Sequence, residues 1–305
     1  MKILKGNLLA LIGMLCMLMS CSEDGITNMD RTDQVIYRIP VVVHVVHNGE
    51  AVGTGANISQ AQVQSQIEVL NEDFRRISGT NGFNSKGVDT QIEFYLAKTN
   101  PDGNILSEPG IHRYNGGLPV WPTGFFTSVD SQLKPATIWD PNRYFNIWTV
   151  NFGGFVGRNL LGYAQFPSNS GLPGLQVNGG AANTDGIVIG YKYFGSSEKG
   201  NFPNLSTTYN LGRTTTHEVG HWMGLRHIWG DGDCNFDDYC NDTPSSDEPN
   251  YSCQRHISCG TQDMIENYMD YTQDQCMSLF TQDQKERMLQ VLQNSPRRKS
   301  LTNRN

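Results

Sequence analysis

Hydrophobic residues follow two rhythms along the chain, continuous or alternating in some stretches and spaced by three and four in others. "RIPVVVHVVH" (38–47) is a β-branched run and predicts a strand buried on both faces. "QIEFYLAKT" (91–99) alternates apolar with polar positions, as a half-buried strand does. "RYFNIWTVNF" (143–152) and "DGIVIGYKYF" (185–194) predict further strands, and "LLGYAQFP" (160–167), closed by a proline, suits a sheet edge. Val63, Ile67, Leu70 and Phe74 recur at helical spacing within 59–76, with Ser59 as N-cap. "LGRTTTHEVGHWMGL" (211–225) predicts the main helix. A last helix over 281–293 opens with a Thr281–Gln284 capping box and carries Met288, Leu289 and Leu292 on its apolar side. Residues 228–262, rich in Asp, Asn, Cys, Gly and Pro, predict irregular chain. Strands with one early helix, then helix and loop, make an α+β fold.

At 305 residues and 37% hydrophobic, the chain can build one large domain or two small lobes. A net charge of −7 without a basic stripe argues against nucleic-acid binding. The N-terminus has two early lysines before an apolar run, Leu8 to Met19, too short to span a membrane and suited to an export signal. "LMSC" (18–21) resembles a bacterial lipobox, which implies removal of residues 1–20, lipidation of Cys21 and a tether over 21–35. The acidic "SEDG" that follows resembles the tether of surface-directed lipoproteins, and ordinary secretion is the alternative. The expected location is therefore outside the cytoplasm, anchored to the bacterial outer membrane by lipid alone, or secreted. Cys234, Cys240, Cys253, Cys259 and Cys276 crowd one region, which in an exported chain suggests disulfides with one thiol left over. A second, Cys-ligated zinc would want close CxxC pairs, which this region lacks.

The chemistry concentrates in "TTTHEVGHWMGLRHIWGDGD" (214–233). His217 and His221 are four apart, so a helix places both imidazoles on one face, one turn apart, where they can share a metal. Glu218 points toward the same place and can take a proton from a metal-bound water without ligating. Gly224 lets the chain leave the helix with positive φ and return His227 as a third ligand. Three nitrogens leave a position open to water, as in a catalytic zinc site, where the pKa of water falls toward about 7. His44 and His47, three apart in a strand, fall on opposite faces. His112 and His256 have no partner at ligand spacing and read as surface histidines.

"HEVGHWMGLRHIWGD", "CNDTP", "ENYMDYTQDQCMSLFT" and the opening "IPVVVHVVH" together resemble the pappalysin family of metzincin metalloproteases, over about residues 36–297. The resemblance implies a zincin-like catalytic domain of two lobes. The upper lobe (36–225) would hold a twisted, mostly parallel sheet with a backing helix and an active-site helix. The lower lobe (226–297) would be irregular with a C-terminal helix, and 298–305 a tail. It implies that Met269 packs beneath the histidines and that Tyr271 lies near the metal, able to stabilise an oxyanion. It implies disulfides Cys234–Cys259 and Cys253–Cys276, leaving Cys240; from spacing alone Cys234–Cys240 is equally open. It implies Ca2+ as a second ion in the loop after the third histidine. Asp231, Asp233, Asp237, Asp238 and Asp242 supply hard oxygens there and Thr243 follows them, although an exposed Asp-rich turn has the same composition. Bacterial relatives cut before Arg or Lys through an acidic residue just before the second-disulfide cysteine. That position is Gln275 here, with Asp274 beside it, which puts a basic preference in question.

The resulting expectation is a monomeric, exported zinc endopeptidase acting on proteins or peptides by Glu218-assisted attack of a zinc-bound water. A surface adhesin keeping a structural zinc is the alternative from another class, though structural zinc has no use for Glu218. A gluzincin-type site would take a downstream glutamate as third ligand, for which Glu266 is the formal candidate, but Gly224 and His227 make it redundant.

Overall fold

Strand β1 (Tyr37–His47) is buried from Ile39 to Val46 because both its edges and both its faces are covered. In the computed structural model, which describes residues 35–122, 128–153 and 160–302, β2 (Ile92–Leu96) and β3 (Ile111–Asn115) pair end to end along one edge of β1. β5 (Phe145–Val150) takes the other edge, and β8 (Ile187–Gly190) lies beyond it, all parallel. β7 (Gly162–Ala164) closes the sheet as an antiparallel edge. Two-residue pairs, β4 (Trp121–Pro122) with β6 (Phe152–Gly153) and β9 (Ile257–Ser258) with β10 (Thr261–Gln262), stand apart from it. The expected leader, Cys21 and all of the tether but Val35 lie outside the described residues.

The period-two alternation of the strands divides the apolar residues between the two faces of the sheet. Ile39, Val41, Val43 and Val45 join Ile147, Ile187 and Ile189 on the face covered by two helices, α1 (Gln60–Phe74) and α3 (Arg213–Trp222). Val46, Trp148, Val150 and Val188 join Leu133 on the other face. There a π-helical turn (Val129–Leu133) runs into α2 (Lys134–Thr137), a short segment that, like β3, the sequence pattern did not predict. Ser59 caps α1 by accepting from the Gln62 N–H, and Val63, Ile67, Leu70 and Phe74 are all buried, as the spacing predicts. α4 (Gln282–Asn294) begins with the predicted capping box.

Two expectations are corrected here. Residues beyond 297 do not all form a tail: Pro296–Thr302 is a helix, α5, and Arg298 is wholly buried. Its Nη1 lies 2.7 Å from Asp185 Oδ1, its Nε donates to the Trp222 carbonyl at 3.1 Å, and its guanidinium sits 3.9 Å over the Trp222 ring. A basic run that composition reads as solvated thus ties the end of α3 to the sheet. His112 is likewise no surface histidine: its Nδ1 lies 2.8 Å from Nδ1 of the buried His44. Asn146 donates its amide to the carbonyls of Trp139 and Tyr144, so its Oδ1 accepts from His44 Nε2 at 2.9 Å. His44 Nδ1 is therefore the acceptor and His112 Nδ1 the donor, and both rings are neutral.

Burial pushes the His44 pKa down to about 3, and burial lowers that of His112 as well. An unfolded histidine takes up its proton below about 6.5, so between that pH and about 3 the unfolded chain binds more protons. Stability is thus fully present above about 6.5 and falls as the pH drops, by about 1.4 kcal/mol per pH unit for His44. His44→Gln is expected to flatten that acid slope by about this amount, measured by urea unfolding at several pH values. An unchanged slope would show that His44 is not the acid-labile group.

Candidate functional site

α3 lies across the sheet next to β7, with every residue from Arg213 to Trp222 buried. His217 and His221 stand one turn apart on it. After Met223 the chain turns at Gly224, whose φ of 90° favours glycine. A Cβ there would also come within 2.9 Å of Val291 and 3.0 Å of Leu172. The turn returns His227 to the other two: Nε2 of His221 lies 3.0 Å from Nε2 of both His217 and His227.

The opposite nitrogens decide what this cluster can do. His217 Nδ1 donates to the Tyr268 carbonyl at 2.7 Å and His221 Nδ1 to the Leu225 carbonyl at 2.8 Å. His227 Nδ1 donates to the Asp231 carboxylate. Each ring therefore carries its hydrogen on Nδ1, and three Nε2 lone pairs face one another in a buried place. Lone pairs so placed repel unless a cation lies between them, so the donor set fits a metal such as zinc. Burial first, and then the neighbouring histidines, hold His221 down at about 3 and His217 well below its usual range. Both rings are thus kept neutral, the form that ligates. Glu266 is not in the cluster, which among the described residues is His217, His221 and His227.

A second group, Asp247, His256 and Asp263, also converges. Asp263, however, already accepts from Ser246, Asn250, His256 and both the N–H and hydroxyl of Ser258. Its lone pairs are saturated, so it pins the loop rather than offering a ligand. His256, expected free on the surface, is its half-exposed partner.

Glu218 faces a cleft of about 460 Å³ whose walls include Leu160, Leu161 and Gly162 at the sheet edge, together with His217, Tyr271 and Asp274. Burial raises its pKa to about 8, and a cation between the histidines would pull it the other way. Met269 is fully buried with its Sδ beneath Gly220, where an added Cβ would come within 2.4 Å of the sulfur. The glycine inside HEVGH thus lets the methionine turn approach the helix between its two histidines. Tyr271 is half-exposed, with its ring 4.8 Å from that of His227 and 5.5 Å from that of His217. Burial and the nearby Glu218 push its phenol up, so it remains a proton donor.

Of the two candidate pocket residues, Gln275 is exposed and donates to Gln273 at 3.1 Å, away from the cleft that holds His217. Asp274 is buried in that cleft and accepts the Leu211 N–H at 2.7 Å. Of the pair, the 3-10 turn Asp274–Cys276 buries the aspartate in this cleft and leaves the glutamine exposed, lining a neighbouring cavity that Asp274 also borders. Among the proposed calcium residues, Asp238 is buried and accepts from Thr243 at 2.8 Å and from the Cys240 N–H, while exposed Asp237 accepts from the Tyr239 N–H. Asp233 binds Asn235, and Asp242 accepts from the Asp283 N–H. Cys234 is bonded to Cys259 and Cys253 to Cys276, each pair with Cα atoms 5.4 Å apart, and Cys240 is free and buried.

Sequence reasoning missed two neighbours of the cluster. Trp229 stacks on His227 with ring centres 4.2 Å apart, and Asp231, one of the acids weighed for calcium, holds His227. The spacing of four between His227 and Asp231 was the available signal.

Comparison with known proteins agrees with this geometry. A sequence model of the Peptidase_M43 family, described as Pregnancy-associated plasma protein-A, matches residues 128–293. An extracellular metalloprotease of Colletotrichum graminicola is 32% identical over 255 residues, covering 82% of this chain and 74% of the relative. Extracellular metalloprotease 1 of Coccidioides posadasii is 36% identical over 259 residues, 84% of this chain and 76% of the relative. Mature mirolysin of Tannerella forsythia, solved with a cleaved peptide, superposes with a TM-score of 0.68 at 39% identity, covering 88% of this chain and 99% of that one. A mutant of promirolysin from the same organism gives 0.69 at 38% identity, covering 88% and 87%.

Proposed function

The chain belongs to the Peptidase_M43 (pappalysin) family and is a metalloprotease with the metzincin fold; from that premise we propose that it is an exported zinc endopeptidase. The observation that carries the reading is the convergence of three Nε2 lone pairs beside a buried glutamate in a cleft bordered by a sheet edge. His217, His221 and His227 hold the zinc. When bound, zinc supplies positive charge that polarises a peptide carbonyl and lowers the pKa of water toward about 7. The substrate lies extended along β7, whose outer edge offers backbone partners. Glu218 takes a proton from the attacking water on its carboxylate and passes it to the leaving amine. Tyr271 donates its phenolic hydrogen toward the oxyanion that develops on the substrate. Asp274 receives the side chain that follows the cut and favours a basic one.

Export is supported by the N-terminal apolar run and by relatives named as extracellular. Cys21 is the proposed point of lipid attachment. The test uses residues 22–305, refolded under oxidising conditions and incubated with a peptide library, with new termini read by mass spectrometry. Cuts that vanish with a chelator, return with zinc and favour Arg or Lys after the cut are expected, and Asp274→Asn is expected to remove that preference. No cuts from a folded, zinc-loaded protein would sink the reading in favour of a binding protein.

A further inference from the structure

The cleft that holds Asp274 also contains a cation. Arg213, the first residue of α3, lines it with a side chain only 2% exposed. Its backbone N–H lies 3.3 Å from Asp274 Oδ2, and its Nη1 donates to the Leu211 carbonyl at 2.8 Å, so the guanidinium folds back over the backbone that Asp274 holds and acts on the aspartate through its charge. A buried guanidinium next to Asp274 would cancel the negative charge that an incoming Arg or Lys needs. It would also repel that side chain directly.

The compensating charge comes from outside the cleft. Asp73, near the end of α1, is fully buried, with Oδ1 3.2 Å from Arg213 Nη2. Its Oδ2 accepts from the Thr216 hydroxyl at 2.6 Å, which fixes the carboxylate toward Arg213 from behind. Asp73 is not among the residues that line the cleft. The charges therefore run Asp73, Arg213, Asp274 from the backing helix to the cleft, and the cleft keeps a net negative charge only if Asp73 offsets Arg213.

We propose that Asp73 sets the substrate preference of the cleft by neutralising Arg213, which leaves the carboxylate of Asp274 available to a basic residue after the cut. This deepens the reading of Asp274 given above and rests on it. Asp73 is a positioning residue and touches no substrate.

The experiment compares kcat/KM for two peptides identical except for Arg or Gln after the cut, using the zinc-loaded chain. Wild type is expected to favour Arg. Asp73→Asn should lower the Arg/Gln ratio by about tenfold or more while the Gln peptide is cut within a few-fold of wild type. Adding Arg213→Met to Asp73→Asn should restore the ratio, since the unpaired cation is then gone. An equal loss on both peptides, or an unchanged ratio, would reduce Asp73 to structural support and overturn the inference. If Asp73→Asn does not fold, Arg213→Met alone decides: the ratio held or raised supports the inference, and a fall overturns it. Should wild type show no preference for Arg and Asp274→Asn leave the ratio unmoved, the reading of Asp274 itself has failed, a result distinct from a failure at Asp73.

Discussion

Glu218→Ala will leave a folded protein that binds zinc normally and cuts peptides about 10²–10⁴-fold more slowly, the usual contribution of a positioned acid–base group. Three features make the effect selective for turnover. None of the hydrogen bonds that orient the histidines involves Glu218: these go to Tyr268, Leu225 and Asp231. The carboxyl faces the cleft beside the sheet edge, where a scissile bond would lie. Truncation also removes a buried, hard-to-solvate group, so stability is not expected to fall much. The check is kcat on one peptide together with zinc content and a melting curve. Activity within tenfold of wild type would remove Glu218 from the proton transfer. Loss of zinc would mean that it supports the metal instead.

How much of this was legible in the sequence depended on whether a signal was local. The β1 run, the α1 stripe, the Thr281–Gln284 box and the positive φ of Gly224 each depend on residues within one element, and the structure has them where the pattern put them. β3, His112 and Arg298 depend on partners far along the chain. His112 lies 68 residues from His44, and Arg298 lies 113 from Asp185. A lone histidine and a basic run therefore looked solvated. The spacing of the three histidines was readable because helix geometry fixes it, whereas Asp73 and Arg213 meet only when α1 and α3 pack. Counting from a cysteine offered Gln275 with Asp274 beside it and could not rank the two. Which of two neighbours points into a cleft is settled by a 3-10 turn, which counting does not see.

The other large effect is expected at His227, the one member of the triad that α3 does not carry. His227→Ala leaves two imidazoles on the helix, and two ligands hold zinc far less tightly than three. Neighbours set the scale. Losing a partner that only orients a ligand, as Asp231→Asn would, typically costs about 10–100-fold in metal affinity. Losing the ligand itself should cost more than that, because a nitrogen is removed and not merely misaimed. His227 is also held by stacking on Trp229 and by the edge of Tyr271, and no other histidine among the described residues stands ready to replace it. Competition against a chelator of known affinity would order the proteins as wild type, then Asp231→Asn, then His227→Ala. If His227→Ala kept wild-type zinc affinity, the third ligand would have to come from elsewhere. If Asp231→Asn proved as weak as His227→Ala, the carboxylate would be acting as more than an orienting partner. The order matters because it separates a site closed by a loop ligand from one closed by the helix alone. Only the former leaves α3 free to present Glu218 to the cleft while the turn at Gly224 completes the metal's coordination.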